Sequence, residues 1–132
     1  MDFGGLKKLI YAFLIFCGTV MYINSHYTFE DVLKYSHEHP NKDYSPAIVY
    51  YTGMSQYMRD KHENAITAFQ QLLADYPTCQ YAPLAMVRLG SSFMEKYRYA
   101  EAREVFDKYL EEFPTDKNRK TVEDKYEYIK FK

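Results

Sequence analysis

Residues 53–77 read GMSQYMRDKHENAITAFQQLLADYP, and residues 90–114 read GSSFMEKYRYAEAREVFDKYLEEFP. The two stretches align without a gap after a shift of 37 residues, and glycine, alanine, phenylalanine and proline then coincide. The coinciding residues are Gly53, Ala65, Phe69 and Pro77 in the first stretch and Gly90, Ala102, Phe106 and Pro114 in the second. A period of this length indicates stacked supersecondary units rather than a compact catalytic domain. The function is therefore expected on a surface and not in a cleft.

Each repeat predicts two helices, A and B. Proline is favoured at the first helical position, so the A helices are expected to begin near Pro46 and Pro83. They are expected to end near residues 58 and 95, and Ser45 is the expected N-cap of the first. Apolar residues recur at spacings of three and four over about residues 63–75 and 99–112, which predicts the B helices.

Gly53 and Gly90 fall in the middle of the predicted A helices. Glycine at such a position costs up to about 1 kcal/mol relative to alanine. Its presence at the same place in both units predicts that helix B passes too close for a Cβ atom. Ala65 and Ala102 are expected to supply the matching small surface, and Pro77 and Pro114 to end the B helices.

The regions before and after the repeats predict atypical end units. Thr28 to Asp31 reads as a capping box, which opens a helix to about His37 and gives a half-repeat ending at Pro40. Residues Val122, Tyr126 and Ile129 form an apolar stripe, which predicts a capping helix rather than a third repeat. The fold class is therefore all-α: two full repeats, a half-repeat before them and a capping helix after, behind an N-terminal hydrophobic helix.

The N-terminal segment contains two lysines followed by Leu9 to Ile23, in which every residue is apolar or small. As a membrane anchor this run is short, because 15 helical residues span about 22 Å against about 30 Å of hydrocarbon. Extension to Thr28 lengthens it and places tyrosines at interfacial positions. Lys7 and Lys8 favour the cytoplasmic side, so the repeats are expected on the extracytoplasmic, periplasm-like side.

Three other interpretations of this segment remain open. A cleaved signal peptide fits the basic start, but residues 22–25 offer no clean small-x-small cleavage site. A lipoprotein signal would use Cys17, but bulky Phe16 stands where such signals have a small residue. The segment could also be a buried helix of a larger complex. We expect residues 1–27 to be an anchor or uncleaved signal, with residues 9–28 in the membrane, and residues 28–132 to form the helical domain.

Composition argues against a nucleic-acid partner and against a disulfide framework. The net charge of −1 gives no general attraction to nucleic acid. The 15 tyrosines and 9 phenylalanines are expected mainly to fill contacts between helices. Two cysteines are too few for a disulfide framework, and Cys17 and Cys79 are poor candidates to pair.

No residue pattern predicts catalysis or a cofactor. His37 and His39 are the most suggestive metal ligands, yet residues two apart on a helix point about 200° from each other. We interpret both as solvated side chains, and His62 as a surface residue in a turn. Cys79 has no histidine near it in sequence, and neither an HExxH motif nor a phosphate-binding glycine loop occurs. We expect a non-enzyme with no metal, no cofactor and no small-molecule substrate.

The repeated pattern resembles the tetratricopeptide repeat, in which alanine follows glycine by 12 residues, phenylalanine comes 4 later and proline 8 after that. Leu89 and Phe93 also match that family, whereas Thr52 and Gln56 make the first unit the looser copy. The period of 37 is similar to that of a subgroup of bacterial envelope proteins. That subgroup includes the outer-membrane barrel-assembly lipoprotein and the Tol-associated cell-division coordinator. The resemblance implies a helical array that serves as a scaffold.

The resemblance also implies that the A helices line an inner binding groove. Its positions in this chain are Ala47, Tyr50, Met54, Tyr57, Met58, Leu84, Val87, Ser91, Met94 and Glu95. The lysines and asparagines with which related grooves grip a C-terminal carboxylate are missing here. Methionine and tyrosine suit a helix or an apolar peptide. Alternatively, the chain's own terminal helix fills the groove.

Two functions are compatible with these features. The first is a non-catalytic protein–protein interaction module, a membrane-anchored scaffold, assembly factor or accessory subunit of a larger protein complex. It would use either the groove or the tyrosine-rich convex face of the array. The second is a dedicated component of a bacterial envelope machine for outer-membrane assembly or for coordination of cell division with peptidoglycan synthesis. Both predict protein partners and a membrane, and neither predicts nucleic acid.

Overall fold

The fold is all-α, as the repeat pattern predicts. A computed structural model describes residues 3–132 of the protein, and these form seven helices and no strand. The helices are α1 (Phe3–His26), α2 (Phe29–Glu38), α3 (Ser45–Met58), α4 (His62–Asp75), α5 (Ala82–Glu95), α6 (Tyr99–Glu112) and α7 (Arg119–Ile129).

The two repeats form helix pairs that stack along the chain. Helices α3 and α4 pair in the first unit, α5 and α6 pair in the second, and α4 packs on α5 between the units. Helix α2 packs on α3 and α4 as the half-repeat, and α7 packs on α6 as the capping helix. Here α3 and α5 are the A helices, and α4 and α6 are the B helices.

The turns between A and B helices repeat the same geometry. Asp60 and Tyr97 stand 37 residues apart, and each has a φ of 58°, in the left-handed region. Aspartate tolerates this conformation better than most residues. The chain then closes each turn with a backbone hydrogen bond of 2.9 Å, from Lys61 to the Gln56 carbonyl and from Arg98 to the Phe93 carbonyl.

The capping box at the start of α2 is confirmed, because the Thr28 hydroxyl accepts from the Asp31 amide at 3.2 Å and the Asp31 carboxylate accepts from the Thr28 amide at 2.9 Å.

The prediction that Ser45 caps α3 is wrong. Tyr44 is the N-cap and makes no capping side-chain bond. The Ser45 hydroxyl instead accepts from the Asn41 amide at 3.0 Å, so it stabilises the preceding loop.

The mid-helix glycines lie against aromatic rings. A Cβ atom at Gly53 would stand 2.8 Å from a ring carbon of Phe69 and 3.1 Å from the Cβ of Ala68. A Cβ at Gly90 would overlap the Phe106 ring, with the ring's Cζ only 2.6 Å away. The nearest atoms thus belong to Phe69, Ala68 and Phe106, and Ala65 and Ala102 are fully buried in the same core.

Helix α1 differs from every other helix, because none of its residues is buried. Its 24 residues correspond to about 36 Å, so it is longer than the apolar run within it. Within residues 3–132 it is the one helix long and apolar enough to cross a membrane, by length and composition.

By the 37-residue shift, α1 lies in sequence where an A helix would precede α2. Ile23 is the residue equivalent to the left-handed Asp60 and Tyr97, and it is β-branched and lies within a helix. A β-branched residue resists the left-handed conformation, so α1 continues to His26 and does not turn back onto α2. Only Tyr27 and Thr28 join α1 to α2.

Candidate functional site

The A helices expose an aromatic surface that we call the A-helix face. It consists of Tyr50, Tyr51, Tyr57 and Met58 from α3, of Tyr81, which precedes α5, and of Arg88 from α5. Met58 follows Tyr51 by seven residues, so the two exposed side chains lie on the same side of α3. Adjacent A helices bring these side chains together because the two units stack side by side.

Three tyrosines form one end of the A-helix face. The rings of Tyr50 and Tyr81 stack with centroids 4.7 Å apart, and the Tyr51 ring meets both by its edge or face at 5.2 Å and 5.9 Å. Tyr50 is buried, and this burial raises the pKa of its hydroxyl although the nearby Arg88 charge lowers it. Tyr51 keeps 61% of its surface exposed, so this end offers a rigid aromatic platform.

Arg88 and Tyr57 form the other end of the A-helix face. The guanidinium carbon of Arg88 lies 5.2 Å from the centre of the Tyr57 ring, within the range of a cation–π interaction. The Nε atom of Arg88 is buried and donates to no acceptor in the described residues. Among residues 3–132 no carboxylate pairs with this guanidinium. The face therefore carries a half-buried positive charge without a counter-ion.

The predicted groove residues fall into three groups. Tyr50, Val87 and Ser91 are buried. Ala47, Met54, Tyr57, Leu84 and Met94 are half-buried, and Met58 and Glu95 are exposed. Part of the predicted groove thus belongs to the core, and its accessible part is narrower than the ten positions suggest.

The sequence interpretation missed Tyr51, Tyr81 and Arg88. The period contained the necessary signal, because a shift of 37 residues places Tyr51 on Arg88 and Tyr44 on Tyr81. The groove positions that the family resemblance implies do not include these three residues. A tyrosine and an arginine at equivalent positions also look unrelated until the rings and the guanidinium are seen on one surface.

A second concavity opens where α1 leaves the array. This open cleft of about 630 Å³ is bordered by Ile23 of α1, Phe29 of α2, and Thr52, Gln56 and Arg59 of α3, among others. The shift of 37 maps Thr52 and Gln56 onto Leu89 and Phe93, which are buried in the stacked array. The cleft is therefore the place where a preceding A helix would pack, and the polar residues Thr52 and Gln56 on its border are the positions at which the first unit is the looser copy.

The histidines do not converge. The Nδ1 of His37 lies 3.0 Å from a carboxylate oxygen of Asp75, whereas the Nδ1 of His39 lies 3.2 Å from the Tyr35 carbonyl oxygen. The interpretation of His62 as a surface residue is wrong, because its side chain is only 13% exposed. Helix α4 begins one residue earlier than expected, and the His62 ring packs edge-on against Tyr57 at 5.4 Å.

Residues 3–132 contain no group of three or more histidine, cysteine, aspartate or glutamate side chains that could hold a metal ion. Cys17 and Cys79 are both free thiols. The chemistry that these side chains support is therefore recognition by aromatic stacking, apolar contact and one guanidinium.

Comparison with known proteins identifies the family of this helical array. A comparison with curated protein sequences found no match. The family model described as outer membrane lipoprotein, YfiO, matches residues 42–126. The match runs from the loop before α3 into α7, so it covers both repeats and leaves α1 and α2 outside. It confirms the resemblance to the tetratricopeptide-type envelope subgroup. Because the match covers more than half of the chain, the protein belongs to the outer membrane lipoprotein family YfiO.

Proposed function

We propose that the protein is a membrane-anchored, non-catalytic scaffold that binds one or more subunits of a larger protein complex through its A-helix face. The family match carries this proposal, because it assigns the repeats to a family of envelope lipoproteins. The exposed Tyr51 and Met58 support it as well, since aromatic and methionine side chains are adaptable contact residues.

In this proposal the chain divides into an anchor, residues 1–27, and a helical domain, residues 28–132. Residues 9–28 lie in the membrane, and Lys7 and Lys8 stay on the cytoplasmic side, which leaves the array on the extracytoplasmic side. The exposure of α1 supports this role, because an apolar helix without buried residues needs lipid or protein around it.

The family description names lipoproteins, and in this chain Cys17 is the cysteine that could carry a lipid. We propose a retained helix instead, because Phe16 is bulky and Cys17 lies in the middle of the continuous helix α1. Intact-mass analysis of the protein purified from membranes distinguishes these anchors. A retained helix gives the mass of the full chain, whereas lipidation gives a chain that starts at Cys17 with added acyl mass.

The scaffold proposal is tested by a pull-down of the full-length protein in mild detergent. The variant combines Tyr51→Glu with Met58→Glu, because these side chains are 61% and 77% exposed and their replacement leaves the core intact. A substitution at buried Tyr50 would confound binding with unfolding. The matched control is Tyr35→Glu, since Tyr35 on α2 is 54% exposed and lies outside the A-helix face.

We expect wild type and the control to retain one stoichiometric partner that the double variant loses. If the double variant retains every partner of the wild type, the A-helix face is not the binding surface and the proposal fails.

The family match also supports a second, narrower function, a dedicated component of an envelope machine. Depletion of the protein distinguishes the two roles that such a component could have. Increased permeability of the outer membrane points to outer-membrane assembly, whereas chained cells with intact permeability point to coordination of cell division with peptidoglycan synthesis.

A further inference from the structure

Arg88 is the only basic residue in either A helix. Its side chain is half-buried, its Nε atom is buried without an acceptor, and no ion pair neutralises it within residues 3–132. A buried or half-buried charge is costly unless it is paired. The two terminal nitrogens of the guanidinium also make no hydrogen bond within residues 3–132, so they can donate to an acceptor from outside the chain, which the buried Nε cannot reach.

The surroundings of Arg88 select a carboxylate that belongs to a protein. The guanidinium lies over the Tyr57 ring, and the charge also acts on Tyr50, which stacks with Tyr81. A polyphosphate or nucleic acid needs several basic groups, and the A helices provide only this one. A single planar guanidinium instead fits one carboxylate through two parallel hydrogen bonds.

We propose that Arg88 binds the side-chain carboxylate of an aspartate or glutamate in a partner segment, with apolar residues before and after the acid covering Tyr51 and Tyr57. An acid inside a segment suits this site better than a chain terminus, because the lysines and asparagines with which related grooves grip a terminal carboxylate are missing from these A-helix positions. This inference rests on the proposed scaffold function and names the chemistry of its partner.

Two peptide display libraries test the proposal. Both present 12-residue segments to the full-length protein in detergent, and every segment continues into the display protein, so none ends in a free carboxylate. One library has a fixed central glutamate and the other a fixed central glutamine. We expect binders only from the glutamate library.

The best peptide is then synthesised and its binding measured by fluorescence anisotropy. Arg88→Gln is expected to weaken binding about tenfold or more, as expected for loss of a hydrogen-bonded charge pair, and Arg88→Lys less. Changing the peptide glutamate to glutamine should cause the same loss, with little further loss in combination with Arg88→Gln. Lys120→Gln, an exposed basic residue on α7, is the matched control and should bind as wild type does.

Several results overturn the proposal: equal enrichment from both libraries, no enrichment from either, or unchanged binding by Arg88→Gln. A peptide whose C-terminal carboxylate replaces the glutamate and binds more tightly overturns the assignment to a side chain. Circular dichroism confirms that Arg88→Gln is folded, which is expected because its side chain makes no hydrogen bond or ion pair within the described chain. The scaffold function survives these failures if the pull-down still depends on Tyr51 and Met58.

Discussion

At the scale of single residues, Gly90 gives the sharpest packing prediction. A methyl group here overlaps the Phe106 ring, and overpacking of this kind costs about 1–3 kcal/mol. Alanine recovers up to about 1 kcal/mol through its better helix propensity. We therefore expect Gly90→Ala to lower the free energy of unfolding by about 1–2 kcal/mol, and Gly53→Ala by less because its Phe69 contact is looser.

Urea unfolding of the full-length protein in detergent, followed by circular dichroism, measures this difference. Gly18→Ala is the matched control, since nothing lies within 4 Å of the added Cβ atom. Equal stability of Gly90→Ala and wild type would show that the Phe106 ring moves aside without cost.

His37 predicts a pH dependence of the contact between α2 and α4. The hydrogen bond with Asp75, and then the charge of that carboxylate, raise the pKa of His37 above its ordinary value of 6.5. The pair therefore stabilises the fold fully below about pH 6.5, and this contribution is lost as the pH rises through the higher pKa of the folded state. His37→Gln should lose stability relative to wild type at about pH 5.5 and little at about pH 9.

Urea midpoints of both proteins across this pH range check the expectation. Asp75→Asn should reproduce the loss, and the double variant should add nothing to it, because both changes remove one interaction. A wild-type pH dependence that persists in His37→Gln would assign it to another group.

Single residues also mark the limit of what the sequence could predict. The exposure of His37 and His39 could be predicted from helical geometry. The predictions for Ser45 and His62 were wrong because they depend on the first residue of a helix to within one position. The pairing of Arg88 with Tyr57 depends on the distance between α3 and α5, which no local pattern contains. The accessible part of the candidate site therefore became visible only in three dimensions.

At the scale of elements, the end of the array depends on Tyr109 and Asp116. Tyr109 on α6 is fully buried, and its hydroxyl donates a short hydrogen bond to the carboxylate of Asp116, which also accepts from the Asn118 amide at 3.0 Å. These contacts hold the loop that leads into α7. The bond from Tyr109 lowers the pKa of Asp116, so the stabilisation is present above about pH 4 and is lost as the pH falls through the lowered pKa.

Tyr109→Phe keeps the ring and removes the donor. It is expected to lower the free energy of unfolding by about 1–2 kcal/mol at neutral pH, because a partly solvated carboxylate loses one hydrogen bond. Hydrogen exchange of the α7 amides should accelerate before that of α3 to α5. Tyr128→Phe is the matched control, since Tyr128 lies exposed on α7. Uniform acceleration in all helices would mean that α7 does not open separately.

The elements themselves were largely predictable. The periodic residues fixed α3 to α6 to within one residue, because proline, glycine and the apolar spacing agree at every step. The start of α2 followed from the Thr28 capping box. The path of α1 was harder to predict. Ile23 is equivalent to Asp60 and Tyr97, and the meaning of a β-branched residue there becomes clear only once the structure shows that both of those residues are left-handed.

At the scale of the whole molecule, the proposed anchor predicts that a charge in the middle of α1 disturbs membrane association. Arginine at the centre of a membrane helix costs about 2.5–3.5 kcal/mol on insertion. We therefore expect Ile15→Arg to shift part of the protein from the membrane pellet to the carbonate-soluble fraction. Tyr128→Arg, which places the same charge on exposed α7, should remain in the pellet.

Protease treatment of spheroplasts then tests which side carries the array. Digestion of α2 to α7 in intact spheroplasts agrees with an extracytoplasmic array, whereas protection until lysis contradicts it. If Ile15→Arg pellets as fully as wild type, α1 is not the main attachment to the membrane.

The short link between α1 and α2 has a consequence for how the proposed scaffold would find its partner. Tyr27 and Thr28 can extend by no more than about 7 Å, so an anchored α1 confines the array to a thin layer beside the bilayer. A partner held in the same membrane would meet it at a high effective concentration, and a weak contact would then suffice for occupancy. Lengthening this link with glycine and serine would dilute the array in that layer and weaken assembly while every contact residue stayed unchanged.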